Sequence, residues 1–233
     1  MSNKRKIKAA LIDMDGTLYD SMPNHARAWM QLMHYINVRA REEEFFLYEG
    51  CTGAHIVDKM IRREFNRPAT ESEKVDLYAL KAKYFVEQSE VPVMPGAIHM
   101  VEYFRQHDID RVLVTGSGQN SLLSRLEKDF PGSFPQEKRV TSASVAHGKP
   151  HPEPFLKGLE LAGVKADEAI AIDNAPLGVR SAHDAGVFTI GVVTGPIPCE
   201  ELEKAGADVV YNSMKECADN LPKLIDDIEK DVL

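Results

Sequence analysis

Ile7-Lys8-Ala9-Ala10-Leu11-Ile12-Asp13-Met14-Asp15-Gly16-Thr17 is a short apolar run that ends abruptly in two carboxylates, a glycine and a hydroxyl. The run reads as a buried strand that delivers a loop carrying chemistry. In an extended chain, side chains two apart point the same way, so Asp13 and Asp15 face one cleft while Met14 turns back into the core. Two like charges this close call for a cation. With Mg²⁺ between them and a phosphate, one carboxylate can attack phosphorus in line while the other moves protons at the leaving oxygen. Gly16 permits a tight turn, and its amide can approach an anionic oxygen.

Downstream of this stretch the chain changes rhythm twice. Asp20-Ser21-Met22-Pro23 offers a capping residue and a proline suited to the first turn of a helix. Trp29, Leu32, Met33 and Ile36 follow at helical spacing. From about Tyr19 to Glu90 the pattern is helix after helix, with Phe45, Phe46, Ile56, Met60, Ile61, Phe65, Val75, Leu77, Leu80 and Tyr84 as candidate core positions. After Val91-Pro92-Val93-Met94-Pro95-Gly96, strands alternate with helical or mixed stretches. The candidate strands are Arg111 to Thr115, Arg139 to Ser142, Ala169 to Asp173, Phe188 to Val193 and Asp208 to Tyr211. The expected fold is therefore α/β: a Rossmann-like, mainly parallel sheet core with an inserted all-helical cap domain. Residues 1–18 and 91–233 form the core in this reading, and 19–90 form the cap.

Ligands of such sheets bind beyond the carboxyl ends of the strands. The second strand ends Thr115-Gly116-Ser117-Gly118, a hydroxyl followed by small residues whose amides can cradle a phosphate. His147-Gly148-Lys149-Pro150-His151-Pro152-Glu153-Pro154 sets one lysine in a proline-stiffened loop, where a fixed ammonium could hold nucleophile and phosphate together. Taken alone, Lys149 reads as a solvated surface lysine. The fourth strand ends Asp173-Asn174-Ala175-Pro176-Leu177-Gly178, adding a third carboxylate and an amide for a hard cation.

These four motifs, in this order, resemble the haloacid dehalogenase superfamily of phosphoryl-transfer enzymes. The resemblance implies Asp13 as nucleophile, Asp15 as general acid/base and, through its carbonyl, Mg²⁺ ligand, Thr115 and Lys149 on the phosphoryl group, and Asp173 completing the metal site. Dehalogenation is not expected, since Asp15 and Asp173 have no use in a metal-free substitution at carbon. The helical segment is similar to the cap of the β-phosphoglucomutase-like branch. Where that mutase has a basic cap loop, this chain has Tyr48-Glu49-Gly50-Cys51-Thr52-Gly53, an acid in place of a base and Gly53 where an arginine is expected.

The strings Ser21-Met22-Pro23-Asn24-His25, Glu49 to Gly53, Val114 to Gln119 and Asn174 to Gly178 further resemble the inorganic pyrophosphatases of that branch. That narrower resemblance implies Glu49 as a cap ligand to the core Mg²⁺, formed only on closure, and Lys81, His25, Asn174, Gly116 and Ser117 as substrate-binding residues. His25 reads equally as a capping or packing residue, and Lys81, near Lys83, as part of a solvated face. The related motif usually carries glutamate before the asparagine; Asp173 is one methylene shorter. The expected function is a Mg²⁺-dependent phosphohydrolase using an aspartyl-phosphate at Asp13 on inorganic pyrophosphate. β-Phosphoglucomutase or a broad sugar-phosphate phosphatase is the alternative.

Composition agrees with a small phosphorylated substrate as the partner. The 233 residues are 43% hydrophobic, enough for a sizeable core. A net charge of −8 argues against nucleic acid or an anionic membrane. Cys51, Cys199 and Cys217 are odd in number and lack metal-ligand spacing, which points to reduced thiols and a cytoplasmic protein. Asp13 interrupts the N-terminal apolar run before a signal-peptide core could form, and no stretch approaches a membrane span. A monomer or weak oligomer is the expected state.

Overall fold

A computed structural model describes residues 6–118 and 120–232. Six strands form one sheet: β1 (Ala9–Ile12), β2 (Asp110–Val114), β3 (Arg139–Val140), β4 (Ala169–Asp173), β5 (Phe188–Val192) and β6 (Val209–Tyr211). Their spatial order is β3-β2-β1-β4-β5-β6, and every pairing is parallel. β1 therefore lies in the middle, with Ala9 in register with Asp110 on one side and Ala169 on the other. β1 and β4 are buried along their whole length, as parallel strands covered on both faces must be.

Alternation along each strand feeds two cores. Ala10, Ile12, Leu113, Ile170, Ile172 and Ile190 face a layer made by α5 (Ala97–Gln106) and α11 (Met214–Glu229), which contribute Met100, Phe104, Leu221 and Ile225. Ala9, Leu11, Val112, Val114, Ala169 and Ala171 face the other way, onto Phe155 and Leu159 of α8 (Glu153–Ala162) and Ala182 of α9 (Pro176–Asp184). Short helices α6 (Asn120–Leu123), α7 (Leu126–Asp129) and α10 (Cys199–Ala205) complete the connections.

Between β1 and α5 lie four helices, α1 (Met22–Tyr35), α2 (Glu42–Leu47), α3 (Gly53–Phe65) and α4 (Glu71–Val86). They have a core of their own, in which Trp29, Leu32, Met33, Phe45, Ile56, Val57, Met60 and Ile61 are buried. The Trp29 and Phe45 rings stack with centroids 5.8 Å apart. Thr52 and Thr70 cap α3 and α4 by accepting from the amides of His55 and Glu73.

Local expectations fail at Phe65, Val75 and Ser21. Phe65 and Val75 are 47% and 67% exposed rather than core, because a helix packed on one side leaves apolar residues on its far face in water. Ser21 occupies the N-cap position of α1 but makes no cap bond; its hydroxyl is drawn to Asp15 instead. Residues 1–5 of the expected core segment and Gln119 of the second strand-end string lie outside the described residues. Among the described residues, no helix is long and apolar enough to cross a membrane. The three cysteines are unpaired thiols.

Candidate active site

The loops leaving β1, β2 and β4, together with the loop entering α8, bring Asp13, Asp15, Thr115, Lys149 and Asp173 to one end of the sheet, and all five are buried. Lys149 donates to Asp13 Oδ1 at 2.6 Å and to Asp173 Oδ2 at 2.7 Å, so it is a clamp between two strand ends and not a surface lysine. Burial opposes its charge, but Asp13 and Asp173 outweigh burial and hold its pKa above the ordinary lysine value. The second Asp173 oxygen accepts from the Ala175 amide at 3.0 Å. Gly178 makes room for this carboxylate, since a Cβ there would come within 2.0 Å of Asp173 Oδ2.

Among the described residues, Asp13 Oδ2 is buried with no hydrogen-bond partner. Burial, opposed by Lys149 and reinforced by Asp173 and Asp15, pushes the Asp13 pKa up to about 8. Glu49 is raised well above the carboxylate range by burial and then by Asp13, with Asn174 pulling the other way. Four carboxylates in one cluster, one with an orphaned oxygen, form a hard oxygen-donor set that fits a divalent cation such as Mg²⁺. Asp13, Asp173, Glu49 and the Asp15 loop are the groups available to hold it.

Asp15 has different company. Its Oδ1 accepts from Ser21 Oγ at 2.7 Å and lies 2.9 Å from His25 Nε2. His25 Nδ1 in turn is 2.5 Å from Lys81 Nζ. The arrangement assigns the tautomer: Lys81 donates to Nδ1, and the Nε2 proton points at Asp15. Burial works against charge on Asp15, but His25, Ser21 and Lys81 outweigh it and keep its pKa below the ordinary range. Lys81 sits over the Trp29 and Phe85 rings, each 5.2 Å from its nitrogen. Its burial pushes its pKa down to about 7, with Asp15 opposing.

The segment from Glu49 to Gly53, together with Tyr78 of α4, closes on the sheet loops at three places. Asn174 Nδ2 donates to Glu49 Oε1 at 2.9 Å while its Oδ1 accepts from Thr17 Oγ1 at 3.1 Å. Gly16 passes beneath both with φ +78°, and a Cβ there would be 2.1 Å from Asn174 Nδ2 and 2.7 Å from Glu49 Oε1. A Cβ on Gly116 would meet the Gly50 carbonyl at 2.3 Å. The Gly118 amide donates to Tyr78 Oη at 3.4 Å.

A cavity of about 50 Å³ remains, lined among others by Asp13, Asp15, His25, Glu49, Tyr78, Lys81, Thr115, Gly116 and Ser117. Lys149, Asp173 and Asn174 do not line it. All of the residues read from the sequence thus converge, but His25 and Lys81 are engaged with Asp15 rather than left free for a ligand. Sequence reading missed Ser21, Thr17 and Tyr78. Ser21 stood inside a quoted string and was read as a helix cap. Tyr78, Lys81 and Phe85 lie three and four apart on one face of α4, a spacing that could have flagged the tyrosine.

Comparison with known proteins identifies the family. Residues 7–186 match the haloacid dehalogenase-like hydrolase family, and the chain belongs to it. Among characterised relatives, Hexitol phosphatase A of Escherichia coli (strain K12) is 27% identical over 212 residues, covering 91% of this chain and 93% of the relative. The Phosphorylated carbohydrates phosphatase of Thermotoga maritima is 25% identical over 218 residues, covering 90% and 99%. A Bacteroides vulgatus structure provisionally designated a beta-phosphoglucomutase is 39% identical, with a TM-score of 0.92 over 98% of this chain and 92% of its own.

Proposed function

We propose that this chain is a Mg²⁺-dependent phosphohydrolase of small phosphorylated substrates, working through an aspartyl-phosphate on Asp13. The observation that carries the reading is the unpartnered, buried Asp13 Oδ2 beside a Lys149 clamp whose other arm is Asp173. The division into core residues 1–18 and 91–233 and cap residues 19–90 is part of this reading, as is the cytoplasmic setting.

In the first step Asp13 Oδ2 bonds to phosphorus as the bond from phosphorus to the leaving oxygen breaks, and that oxygen takes a proton relayed through Asp15 from the hydrogen-bonded His25 and Lys81 pair behind it. Lys149 fixes the nucleophile through its other oxygen, and the Gly116 amide after Thr115 would receive a phosphoryl oxygen, the Ser117 and Gly118 amides being bonded to Thr115 Oγ1 and Tyr78 Oη. In the second step Asp15 takes a proton from water, which attacks phosphorus and frees Asp13 and inorganic phosphate. Ser21 and His25 hold Asp15 in one orientation for both roles. The metal, when bound, supplies positive charge to the phosphoryl oxygens. Asp13→Asn keeps the shape and removes the nucleophile; the expected outcome is an intact fold with no phosphate release, and retained turnover would exclude Asp13.

The names of the relatives favour phosphate esters of polyols and sugars over pyrophosphate, and a broad sugar- or polyol-phosphate phosphatase is the reading they support. Pyrophosphate stays as a second reading on one specific observation. With Glu49 against Asn174 the remaining space is about 50 Å³, which suits a compact ligand better than a sugar ring beside a phosphate. A kcat/KM panel with Mg²⁺ over pyrophosphate, hexitol phosphates, glycerol phosphate and hexose phosphates decides. A lead of about tenfold, or 1.4 kcal/mol in transition-state binding, for either class selects it.

A further inference from the structure

The loop that carries Lys149 has a second face. His147, His151 and Glu153 project from it away from the catalytic carboxylates, and their ligating atoms lie within 4.8 Å of one another. The two imidazole rings are 4.7 Å apart between centroids and tilted by 31°. His147 Nδ1 stands 3.0 Å from Glu153 Oε2. Both histidines are exposed, and His151 Nδ1 accepts from the Glu153 amide at 3.1 Å, which leaves Nε2 to ligate.

We propose that His147, His151 and Glu153 form a transition-metal site of the Zn²⁺ class, separate from the catalytic Mg²⁺ site. Two nitrogens and one carboxylate oxygen are the donor set that suits Zn²⁺, whereas the all-oxygen cluster around Asp13 suits a harder ion. The backbone of the loop is already ordered. Glu153 accepts from the amides of Ala146 and His147 at 2.8 and 2.9 Å, which holds its carboxyl down at about 2, so it is an anion wherever the protein is folded. Ser181 Oγ donates to the His151 carbonyl at 2.6 Å, and Pro150 and Pro152 restrict the chain between the ligands. Little conformational freedom is therefore lost on binding. The loop borders a groove of about 580 Å³ that also contains Thr52, His55, Arg180 and Asp184, so the remaining coordination positions open to water or to a further donor. Lys149 lies two residues from each histidine, and a metal bridging them fixes the segment that aims the Lys149 ammonium.

Zn²⁺ titrated calorimetrically into the full-length protein under excess Mg²⁺ tests the site, because Mg²⁺ keeps the oxygen cluster filled. One Zn²⁺ per chain is expected to bind, and Co²⁺ in its place should give the visible absorption of a nitrogen-ligated ion. His147→Ala and His151→Ala should each weaken Zn²⁺ by at least about tenfold, while Asp173→Asn should leave Zn²⁺ binding unchanged. No Zn²⁺ binding under excess Mg²⁺, wild-type affinity in the histidine variants, or loss in Asp173→Asn would each overturn the proposal.

Discussion

The ring of Tyr78 lies flat against the Cα of Gly53: a Cβ on residue 53 would come within 2.0 Å of the Tyr78 Cδ2 and Cε2 atoms. An aromatic side chain from a different helix therefore covers position 53, where the resemblance to a mutase-like cap led to the expectation of an arginine. The phenol extends from there to the Gly118 amide, so one residue both excludes a basic anchor and reaches the phosphate loop.

Gly53→Ala is expected to push Tyr78 off the phosphate loop. A drop in kcat/KM of about tenfold or more with an unchanged melting temperature is the expected result. The double variant Gly53→Ala, Tyr78→Ala should be no worse than Tyr78→Ala alone, because the methyl group then has no ring to displace, and steady-state kinetics on the singles and the double tests the coupling.

Gly178→Ala places a methyl group within 2.0–2.2 Å of the whole Asp173 carboxylate, which must leave its position between Lys149 and Ala175. Activity should then require about 10–100-fold more Mg²⁺ for half-saturation. A Mg²⁺ titration that superimposes on the wild type would mean Asp173 takes no part in metal binding.

Glu49→Gln retains the shape and loses the charge. The expected outcome is a larger fall in kcat/KM for pyrophosphate than for p-nitrophenyl phosphate, since only a small substrate leaves the Glu49 to Asn174 contact intact. Equal falls on both substrates would remove Glu49 from any part in selecting substrate.

Lys81→Met trades activity for stability. The Lys81 pKa falls from an ordinary 10.5 to about 7 on folding, so between those values the unfolded chain binds more protons and wild-type stability rises with pH. The variant lacks this dependence. Its melting temperature should exceed that of the wild type by several degrees at pH 6 to 7, with the gap narrowing toward pH 10.5, at about 2–4 °C per kcal/mol for a chain of this size. Turnover should fall at every pH, because His25 loses the donor that sets its tautomer. Thermal melts across this range, with parallel rate measurements, check both halves.

Much of this site was legible because its chemistry sits at strand ends, and strand ends are local signals. Asp13 and Asp15 follow an apolar run with period-two spacing, and Asp173 ends another. Lys149 was legible only in company, since nothing in its own loop says that the ammonium turns inward to two aspartates far away in sequence. Ser21 and Tyr78 were missed because their partners are set by tertiary closure: the hydroxyl has a choice between capping α1 and binding Asp15, and the phenol spans 40 residues to reach Gly118. Phe65 and Val75 misled because helical periodicity reports an apolar stripe without saying how wide a stripe the neighbouring helices cover.

Gly16, Gly53 and Gly178 each stand directly beneath a side chain of the site: Asn174 and Glu49, Tyr78, and Asp173 respectively. The pocket is thus cast partly by missing methyl groups, as a mould is by what was left out. Its mutational target is correspondingly wider than its chemistry. A deep scan of single substitutions scored by phosphate release should find these three positions as intolerant as the carboxylates, although none of them carries a side chain that could touch a phosphate.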